Sequence, residues 1–232
     1  MSNQSFRTLC VSLSLIFLGE ALSAAELIDV RTVDPTIEVE LRYTTTRNVL
    51  RRPLYPANMP ALVRPAVAVR LSKAHKDLQL RGLRLKIWDA YRPQAAHDQL
   101  WAVSRDNRYV ADPAGGRGSL HTWGVAVDAT LIDGNGNDVA MPTDFDDFTP
   151  AAMLRYIGRD PEIRKHLRIL QRAMGAAGFY GLRTEWWHFI AKDWQKYRAI
   201  PNATNISPSN AGLGFSPGSI VSSLSGESPR PR

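Results

Sequence analysis

Hydrophobic residues recur at two different spacings along this chain, and each spacing predicts a different kind of element. Over residues 62–80, apolar positions lie three or four apart, which predicts a helix, and Pro65 suits its first turn. A second helix is predicted over 93–104. A third, basic and amphipathic, is predicted over 161–177, with Gly178 as its C-terminal cap.

Strict alternation of apolar and polar residues predicts strands in other segments. Residues 83–88 alternate, which predicts a half-buried strand, and 124–131 alternate with Asp128 on the face opposite the core positions. The turn sequence at 133–137 predicts a hairpin after that strand, and 184–191 form a final apolar, aromatic strand. Because helices and strands mix without regular βαβ units, we expect a single α+β domain with a central antiparallel sheet flanked by helices.

The two ends of the chain differ in composition from its centre. The first 25 residues combine Arg7, an apolar run over 9–18 and small residues at 23–25, the pattern of a cleaved export signal. That run is about half the ~20 residues that a membrane-spanning helix needs. Residues 203–232 are rich in Ser, Pro, Gly and Asn, which favours a disordered tail. We therefore expect one domain over 26–202, periplasmic or secreted, without a stable membrane anchor.

Charge and cysteine content narrow the classes of partner. The net charge of +7 predicts attraction to anionic surfaces such as a cell envelope. No stripe of interleaved basic and aromatic residues favours nucleic acid, so we expect no nucleic-acid partner. The single cysteine, Cys10, lies inside the expected signal. The mature chain would then bind any metal through nitrogen and oxygen atoms.

Two short stretches hold the residue types of a catalytic metal centre. His121 and Asp128 lie in SLHTWGVAVD (119–128), and Glu185 and His188 lie in EWWH (185–188). Two imidazoles and one carboxylate can hold Zn²⁺ with a position left for water, and a second carboxylate can accept the proton of that water. A lone histidine, however, is more often a packing or surface residue. The remaining histidines lie on predicted helices and are interpreted in that way: His75, His97 and His166.

The pattern around these residues resembles a known family. SLHTWGVAVD is similar to the S-x-H-x-x-G-x-A-x-D signature of the zinc D-Ala-D-Ala dipeptidases, the VanX-like peptidases, which share a larger metallopeptidase family with D,D-carboxypeptidases. EWWHF resembles the second signature of that group, and WDAYRP (88–93) resembles its arginine segment. The resemblance covers roughly residues 30–196. It implies one Zn²⁺ per chain, bound by His121, Asp128 and His188.

The resemblance also implies two catalytic roles. Glu185 would act as general base, and Arg92 would stabilise the oxyanion of the tetrahedral intermediate. A regular strand would point Glu185 and His188 to opposite faces. Both can reach one metal only if Glu185 precedes the strand or a bulge intervenes. Arg92 has a structural alternative, an ion pair with Asp89 at the end of the strand, and the two roles are compatible.

Three further residues are assigned to the substrate by resemblance. Asp146 resembles the aspartate that receives the free ammonium of a dipeptide, although Asp144 and Asp147 compete with it and a solvated acidic loop is the alternative. Ser119 resembles the serine that contacts the substrate carboxylate, or else caps the local backbone. Tyr43 resembles a tyrosine that lines the same pocket, with ordinary strand packing as the alternative.

The chain departs from the narrowest dipeptidase pattern near the first signature. Trp123 stands where some relatives have small or basic residues, and we expect it to narrow the cleft or reshape its rim. The loop over 106–118 looks short. These departures bear on the preferred dipeptide more than on the class of reaction.

Together with the export pattern, the resemblance implies an exported, zinc-dependent dipeptidase that hydrolyses D-Ala-D-Ala in peptidoglycan metabolism, with the cell wall as a further partner. One alternative is a D,D- or L,D-carboxypeptidase on wall peptides, which would lack a functional clamp for the free amine. Another is a non-catalytic wall-binding module whose zinc is structural or absent. Glu185 argues against that module, because a structural zinc site needs no additional, non-ligating carboxylate.

Overall fold

The computed structural model describes residues 26–200, and the expected boundaries of the export signal and of the tail lie outside this range. The helices in this range are α1 (Pro65–Gln79), α2 (Gln94–Ser104) and α3 (Pro161–Ala176). The strands are β1 (Ile28–Asp29), β2 (Glu38–Val39), β3 (Leu62–Val63), β4 (Leu83–Asp89), β5 (Ala126–Asp133), β6 (Phe179–Leu182) and β7 (Glu185–Ala191).

One five-stranded sheet organises the fold. Its strand order is β2-β4-β5-β7-β6, and every neighbouring pair is antiparallel except β2 and β4, which run parallel. β1 and β3 form a separate antiparallel pair. The α+β class and the mainly antiparallel sheet agree with the sequence prediction.

The helix boundaries follow from capping chemistry. α1 begins at Pro65, one residue after the short strand β3, so the helical pattern predicted over 62–80 contains a strand at its start. α3 begins at Pro161, where the Asp160 carboxylate accepts hydrogen bonds from two backbone N–H groups of the first turn. Within residues 26–200, no helix combines the length and the apolar character needed to cross a membrane.

The central strands are buried on both faces. The prediction of a half-buried strand at 83–88 is wrong, since Lys86 and Trp88 are buried together with the apolar positions of β4. Trp88 makes edge-to-face contacts with Phe145 and Trp186, with ring centroids 5.8 and 5.6 Å apart. Alternation alone misses this burial, because the second face of the sheet is covered by loops distant in sequence.

The turn predicted after β5 forms, but the predicted hairpin does not extend from it. The Asp133 carboxylate accepts hydrogen bonds from the backbone N–H groups of Asn135 and Asn137. The returning chain pairs with β5 only through a single antiparallel bridge between Ile132 and Asp138. β4 and β7 occupy the two sides of β5, which leaves no edge for a long hairpin partner.

Candidate active site

The sheet register brings three site residues side by side. Asp128 on β5 lies directly opposite His188 on β7, and Asp89 at the end of β4 pairs with Asp128 on the other side. Directly opposed residues of antiparallel strands point to the same face. Three acidic or imidazole side chains therefore lie across three neighbouring strands at one end of the sheet.

His121 reaches this group from a short 3₁₀ helix, Leu120–Trp123. Its Nδ1 lies 2.7 Å from the backbone oxygen of Ala90, directly after β4, so Nδ1 carries the proton and donates it to that carbonyl. Nε2 is then unprotonated and faces the carboxylate of Asp128. A backbone hydrogen bond that fixes the tautomer of an imidazole is the usual support of a metal-binding histidine.

The donor groups of these three residues lie close enough together to share one metal ion. His121 Nε2 lies 3.1 Å from His188 Nδ1 and 3.3 Å from Asp128 Oδ2, while His188 Nδ1 lies 2.9 Å from Asp128 Oδ1. Ligands about 2.0–2.1 Å from Zn²⁺ in a tetrahedron are separated by about 3.3 Å. Among residues 26–200, these three form the candidate metal-binding group, and all three are buried. The donor set fits Zn²⁺.

The electrostatics of the group also fit a cation. Burial lowers the pKa of His188 although Asp128 opposes the shift, so the imidazole is neutral and free to coordinate. Burial would raise the pKa of Asp128, but His121 and His188 bring it well below its usual range. Asp128 therefore remains a carboxylate at neutral pH.

Glu185 joins this group because β7 contains an irregularity. Gly181 pairs with Phe189, but the next residue, Leu182, pairs with Glu185, so residues 186–188 have no partner on β6. This bulge turns Glu185 to the same face as His188, with Glu185 Oε2 3.9 Å from His188 Nδ1. The sequence indicated that Glu185 and His188 can reach one metal if a bulge intervenes between them, and this bulge is present.

The surroundings of Glu185 favour proton acceptance. Burial raises the pKa of its carboxyl well above the usual range, and the negative charges of Asp128 and Asp146 add to the shift. A carboxylate with a raised pKa is a stronger base than one in water.

Arg92 forms the ion pair with Asp89 that the sequence allowed. Its Nε and Nη2 donate to Asp89 Oδ2 at 3.0 and 2.8 Å, and Nη2 lies 3.5 Å from Asp128 Oδ2. Its guanidinium lies over the ring of Tyr43, 5.0 Å from the centroid. The Tyr55 hydroxyl also interacts with this guanidinium.

A cavity of about 310 Å³ contains these groups. This volume is at the small end of the range for ligand sites, as expected for a small substrate. The loop over 106–118 forms part of its wall. The polar residues that line the cavity include all eight predicted site residues: Tyr43, Arg92, Ser119, His121, Asp128, Asp146, Glu185 and His188.

Asp146 lies in this cavity in a left-handed conformation, φ 57°. Its carboxylate accepts hydrogen bonds from the Tyr43 hydroxyl and the Val49 backbone N–H, each at 3.1 Å. Burial raises the pKa of Asp146 to about 7, although the Val49 bond opposes the shift. Asp146 is half-buried, so part of its surface remains accessible. Its competitors Asp144 and Asp147 do not line the cavity, and Asp144 instead pairs with Arg42.

Ser119 and Trp123 have local structural roles. Ser119 lines the cavity, and its hydroxyl also accepts a hydrogen bond from the His121 backbone N–H, so the predicted capping role is present as well. Trp123 does not narrow the cleft as expected. Its indole N–H donates to the Arg117 carbonyl, and its ring packs against Trp194, outside the cavity wall.

The sequence interpretation gave no site role to several residues that the structure brings to the site. Tyr55 donates to Asp89 at 2.9 Å and so helps to position the partner of Arg92. His97, interpreted as a surface or packing residue, is fully buried and lines the cavity. A signal existed for His97, because its position five residues after Arg92 places it on the first turn of a helix that begins at the site.

Comparison with protein families gives one match over most of the chain. The family model Peptidase_M15, described as D-ala-D-ala dipeptidase, matches residues 23–206.

Individual proteins agree with this family. A D-alanyl-D-alanine dipeptidase of Escherichia coli is 35% identical over 164 residues, which cover 71% of this chain and 83% of the relative. Proteins with the same name from Streptomyces coelicolor and Enterococcus faecalis are 28% and 26% identical, covering 68% and 65% of this chain and 87% and 83% of the relatives.

Among solved structures, a zinc-bound mutant of the vancomycin-resistance D,D-pentapeptidase VanY superposes with a TM-score of 0.37. The identity is 14%, over 60% of this chain and 77% of that chain. At that score the superposition supports no statement about the present fold or site.

Proposed function

Because this chain belongs to the M15 peptidase family of zinc metallopeptidases, we propose that it is an exported dipeptidase that hydrolyses D-Ala-D-Ala in peptidoglycan metabolism. The observation that carries the proposal is the content of one small cavity. One cavity of about 310 Å³ is lined by the three-residue zinc site, by Glu185 as the base, by Arg92 and by a second carboxylate, Asp146.

His121, Asp128 and His188 would hold the metal. When bound, Zn²⁺ supplies a Lewis acid that polarises the substrate carbonyl and lowers the pKa of water. The hydrogen bond from His121 to the Ala90 carbonyl keeps one imidazole in the ligating tautomer.

Two residues serve the bond that breaks. Glu185 accepts a proton from the attacking water and passes it to the leaving amine nitrogen. Arg92, held by Asp89, offers its guanidinium to the oxygen on which negative charge develops. Because Asp89 fixes the guanidinium before substrate binds, the Arg92 side chain needs little reorientation during the reaction.

Three residues recognise the ends of the substrate. The carboxylate of Asp146 receives the free ammonium, with Tyr43 holding its orientation from behind. The ammonium in turn favours the ionised form of a carboxyl whose pKa is raised to about 7. Ser119 donates its hydroxyl proton to the substrate carboxylate. A cavity that binds both ends selects a dipeptide over a longer chain.

Export is part of the proposal and rests on the amino-terminal sequence pattern. The basic n-region, the apolar run and the small residues before Glu26 support a periplasmic or secreted location, where wall fragments occur. The net charge of +7 supports contact with an anionic cell wall.

The test is release of D-alanine from D-Ala-D-Ala by the mature chain with zinc, alongside a pentapeptide that ends in D-Ala. We expect turnover of the dipeptide alone, and a loss of kcat of about 10²–10⁴-fold in Glu185→Ala with zinc still bound. Turnover of the pentapeptide without the dipeptide would assign the chain to the carboxypeptidases. Absence of turnover on both would favour the binding module.

Asp146→Asn tests the amine clamp. We expect kcat/KM for the dipeptide to fall at least about 100-fold, since a charge-assisted pair with the ammonium is lost. Asp147→Asn is the matched control, because Asp147 is the next residue but does not line the cavity. Equal kinetics in the two variants would remove Asp146 from the proposal.

A further inference from the structure

A surface outside the active site combines several arginines with one exposed isoleucine. Residues 155–172 contain six basic and two acidic residues, a net charge of +4 in a chain whose total is +7. None of them lines the cavity of the active site. We call this surface the arginine patch, and it consists of Arg155, Ile157, Arg159, Arg164, Arg168 and Arg172.

Two hydrogen bonds hold the loop before α3 along the side of that helix. The Gln171 side-chain amide donates to the Leu154 carbonyl at 2.7 Å, and the Arg164 guanidinium donates to the Gly158 carbonyl at 2.8 Å. Gln171 and Arg164 are two helical turns apart on one face of α3, and Arg168 lies between them on the same face. Arg168 therefore lies beside the middle of the loop.

Ile157 projects into solvent from the middle of this loop. Its exposed fraction is 78%. The preceding residue, Tyr156, packs against the core, and its ring occupies the space beside Gly158. Arg155 and Arg159 lie two residues away on either side of Ile157, and both are exposed. A single exposed isoleucine is ordinary, but this one is held outward among arginines.

The positive charge of the patch is not neutralised locally. Within residues 26–200, Arg164 pairs with no carboxylate, and the two acidic residues of this stretch are already engaged. Asp160 accepts hydrogen bonds from the first turn of α3, and Glu162 pairs with Lys165 at 3.0 Å. Four further arginines form no ion pair in the described part of the chain: Arg155, Arg159, Arg168 and Arg172. Such a concentration of unpaired charge attracts an anionic partner.

The isoleucine decides which anionic partner fits best. A cluster of basic residues on an amphipathic helix is attracted to anionic phospholipid headgroups, and an apolar side chain beside it gains by entering the boundary between headgroups and acyl chains. A soluble polyanion offers charge to the arginines but no apolar layer to Ile157. The apolar face of α3 is itself buried in the core, for example at Leu167 and Leu170, so the helix stays on the surface of a bilayer.

We propose that the arginine patch docks this protein on a bilayer that contains anionic phospholipids. The arginines pair with lipid phosphates, and Ile157 enters the headgroup region. The attachment is peripheral and reversible, because it buries one apolar side chain and depends otherwise on screened charge. This inference goes beyond the proposed function and does not depend on which peptide bond is cleaved.

The experiment measures binding of the mature chain to phosphatidylcholine vesicles with and without phosphatidylglycerol. We expect binding only where phosphatidylglycerol is present, and a loss of binding at high salt. The double variant Arg155→Gln/Arg168→Gln should bind roughly 25-fold more weakly, at about five-fold for each arginine. Ile157→Ser should lose about three- to ten-fold, because its gain from the apolar layer is removed.

The matched control is the double variant Arg52→Gln/Arg105→Gln, which changes the net charge by the same amount. Both arginines are exposed and lie on or against α2, outside the patch: Arg52 bonds to Gln99, and Arg105 caps the helix. It should bind within about two-fold of the wild type, since distant surface charges are screened. All variants should melt within about 2 °C of the wild type, because the changes are on the surface.

Three results would overturn the inference. One is a wild type that binds both kinds of vesicle equally or binds neither. Another is an equal loss in the control variant, which would reduce the effect to net charge. The third is unchanged vesicle binding by Ile157→Ser together with tight binding of polyphosphate by the wild type, which would assign the patch to a soluble polyanion.

Discussion

Arg92 shows at the scale of single residues how one side chain can be held by the fold and still serve a ligand. Two of its nitrogens are occupied by Asp89, which is fully buried, and its guanidinium is covered by the Tyr43 ring. Burial opposes the charge of this guanidinium, and the negative charge of Asp89 offsets that cost in part. The guanidinium is therefore oriented before any substrate binds.

Replacing Arg92 by lysine keeps the charge and removes this orientation. An ammonium cannot donate to Asp89 and to the oxyanion in the same fixed plane. We expect Arg92→Lys to lower kcat by about 10²–10³-fold with a small change in KM, as for other oxyanion donors. Steady-state kinetics with measured zinc content checks this. Arg84→Lys on β4, outside the cavity, should leave both constants unchanged, and an unaltered kcat in Arg92→Lys would contradict the assignment.

At the scale of elements, Gly124 connects the short helix that carries His121 to the strand that carries Asp128. Its φ is +70°, and its N–H bonds back to the His121 carbonyl, so the chain reverses direction there. A Cβ at this position would meet the side chain of Leu27. The backbone conformation favours glycine, and a Cβ would in addition displace the Leu27 side chain.

Gly124→Ala should therefore damage the metal site as well as the fold. We expect a loss of stability of more than about 1–2 kcal/mol, the cost of a left-handed alanine, and weaker zinc binding because His121 moves relative to Asp128. Gly82→Ala is the matched control, with the same φ of +70° and nothing within 4 Å of its Cβ. Gly82→Ala should lower stability without changing zinc affinity. Equal zinc affinity in the two variants, measured by competition with a chelator, would contradict this role.

His75 joins α1 to β4 and makes that contact sensitive to acid. Its Nδ1 accepts the Leu85 N–H at 3.1 Å, and Nε2 lies 3.1 Å from the Thr36 hydroxyl. Burial lowers the pKa of His75 below its usual 6.5, although Asp34 opposes the shift. A base with a lowered pKa contributes stability above pH 6.5, and this contribution is lost as the pH falls toward the folded-state pKa.

His75→Phe should be less stable than the wild type by about 1–3 kcal/mol at pH 7.5, since the Leu85 N–H loses its acceptor. The difference in unfolding free energy should shrink at pH 5.5, because protonation or displacement of the buried imidazole destabilises the wild type there. Urea unfolding at both pH values gives the two differences. A gap that stays constant or widens on acidification would show that His75 does not titrate in this range. His166→Phe serves as control, because His166 lies near the surface.

At the scale of the whole molecule, acidic side chains are concentrated in the cavity although the protein as a whole is basic. Asp128, Glu185 and Asp146 share one small space although the chain carries a net charge of +7. Arg92 opposes this charge but is already paired with Asp89. Divalent zinc at the three-residue site offsets the repulsion, so metal binding and folding should be coupled.

Removal of zinc should lower the melting temperature and abolish activity together. At a free zinc concentration 100 times Kd, the stabilisation is about 2.7 kcal/mol. The melting temperature of Asp128→Ala should not rise when zinc is added, and this variant should be inactive. His166→Ala should keep both the rise in melting temperature and the activity. Thermal unfolding with and without a chelator measures this. A wild type that melts identically in both conditions would show that folding is independent of the metal.

The sequence alone predicted the three helices, the central strands β4, β5 and β7, and the candidate residues of the site. Capped helices such as α3 and alternating strands such as β5 depend on local spacing and on residues such as Asp160, so they are present close to their predicted bounds. Two spaced signatures and an arginine segment were also enough to select the candidate residues, because metal binding restricts residue type and order.

Only the tertiary structure decided how these residues meet. The register of β5 and β7 places Asp128 opposite His188, and a bulge turns Glu185 toward the same face, neither of which local sequence specifies. The burial of Trp88, the choice of Asp146 over Asp144 and the place of His97 in the cavity wall depend on contacts between segments far apart in the chain. Such contacts are set by packing, and packing has no local signature.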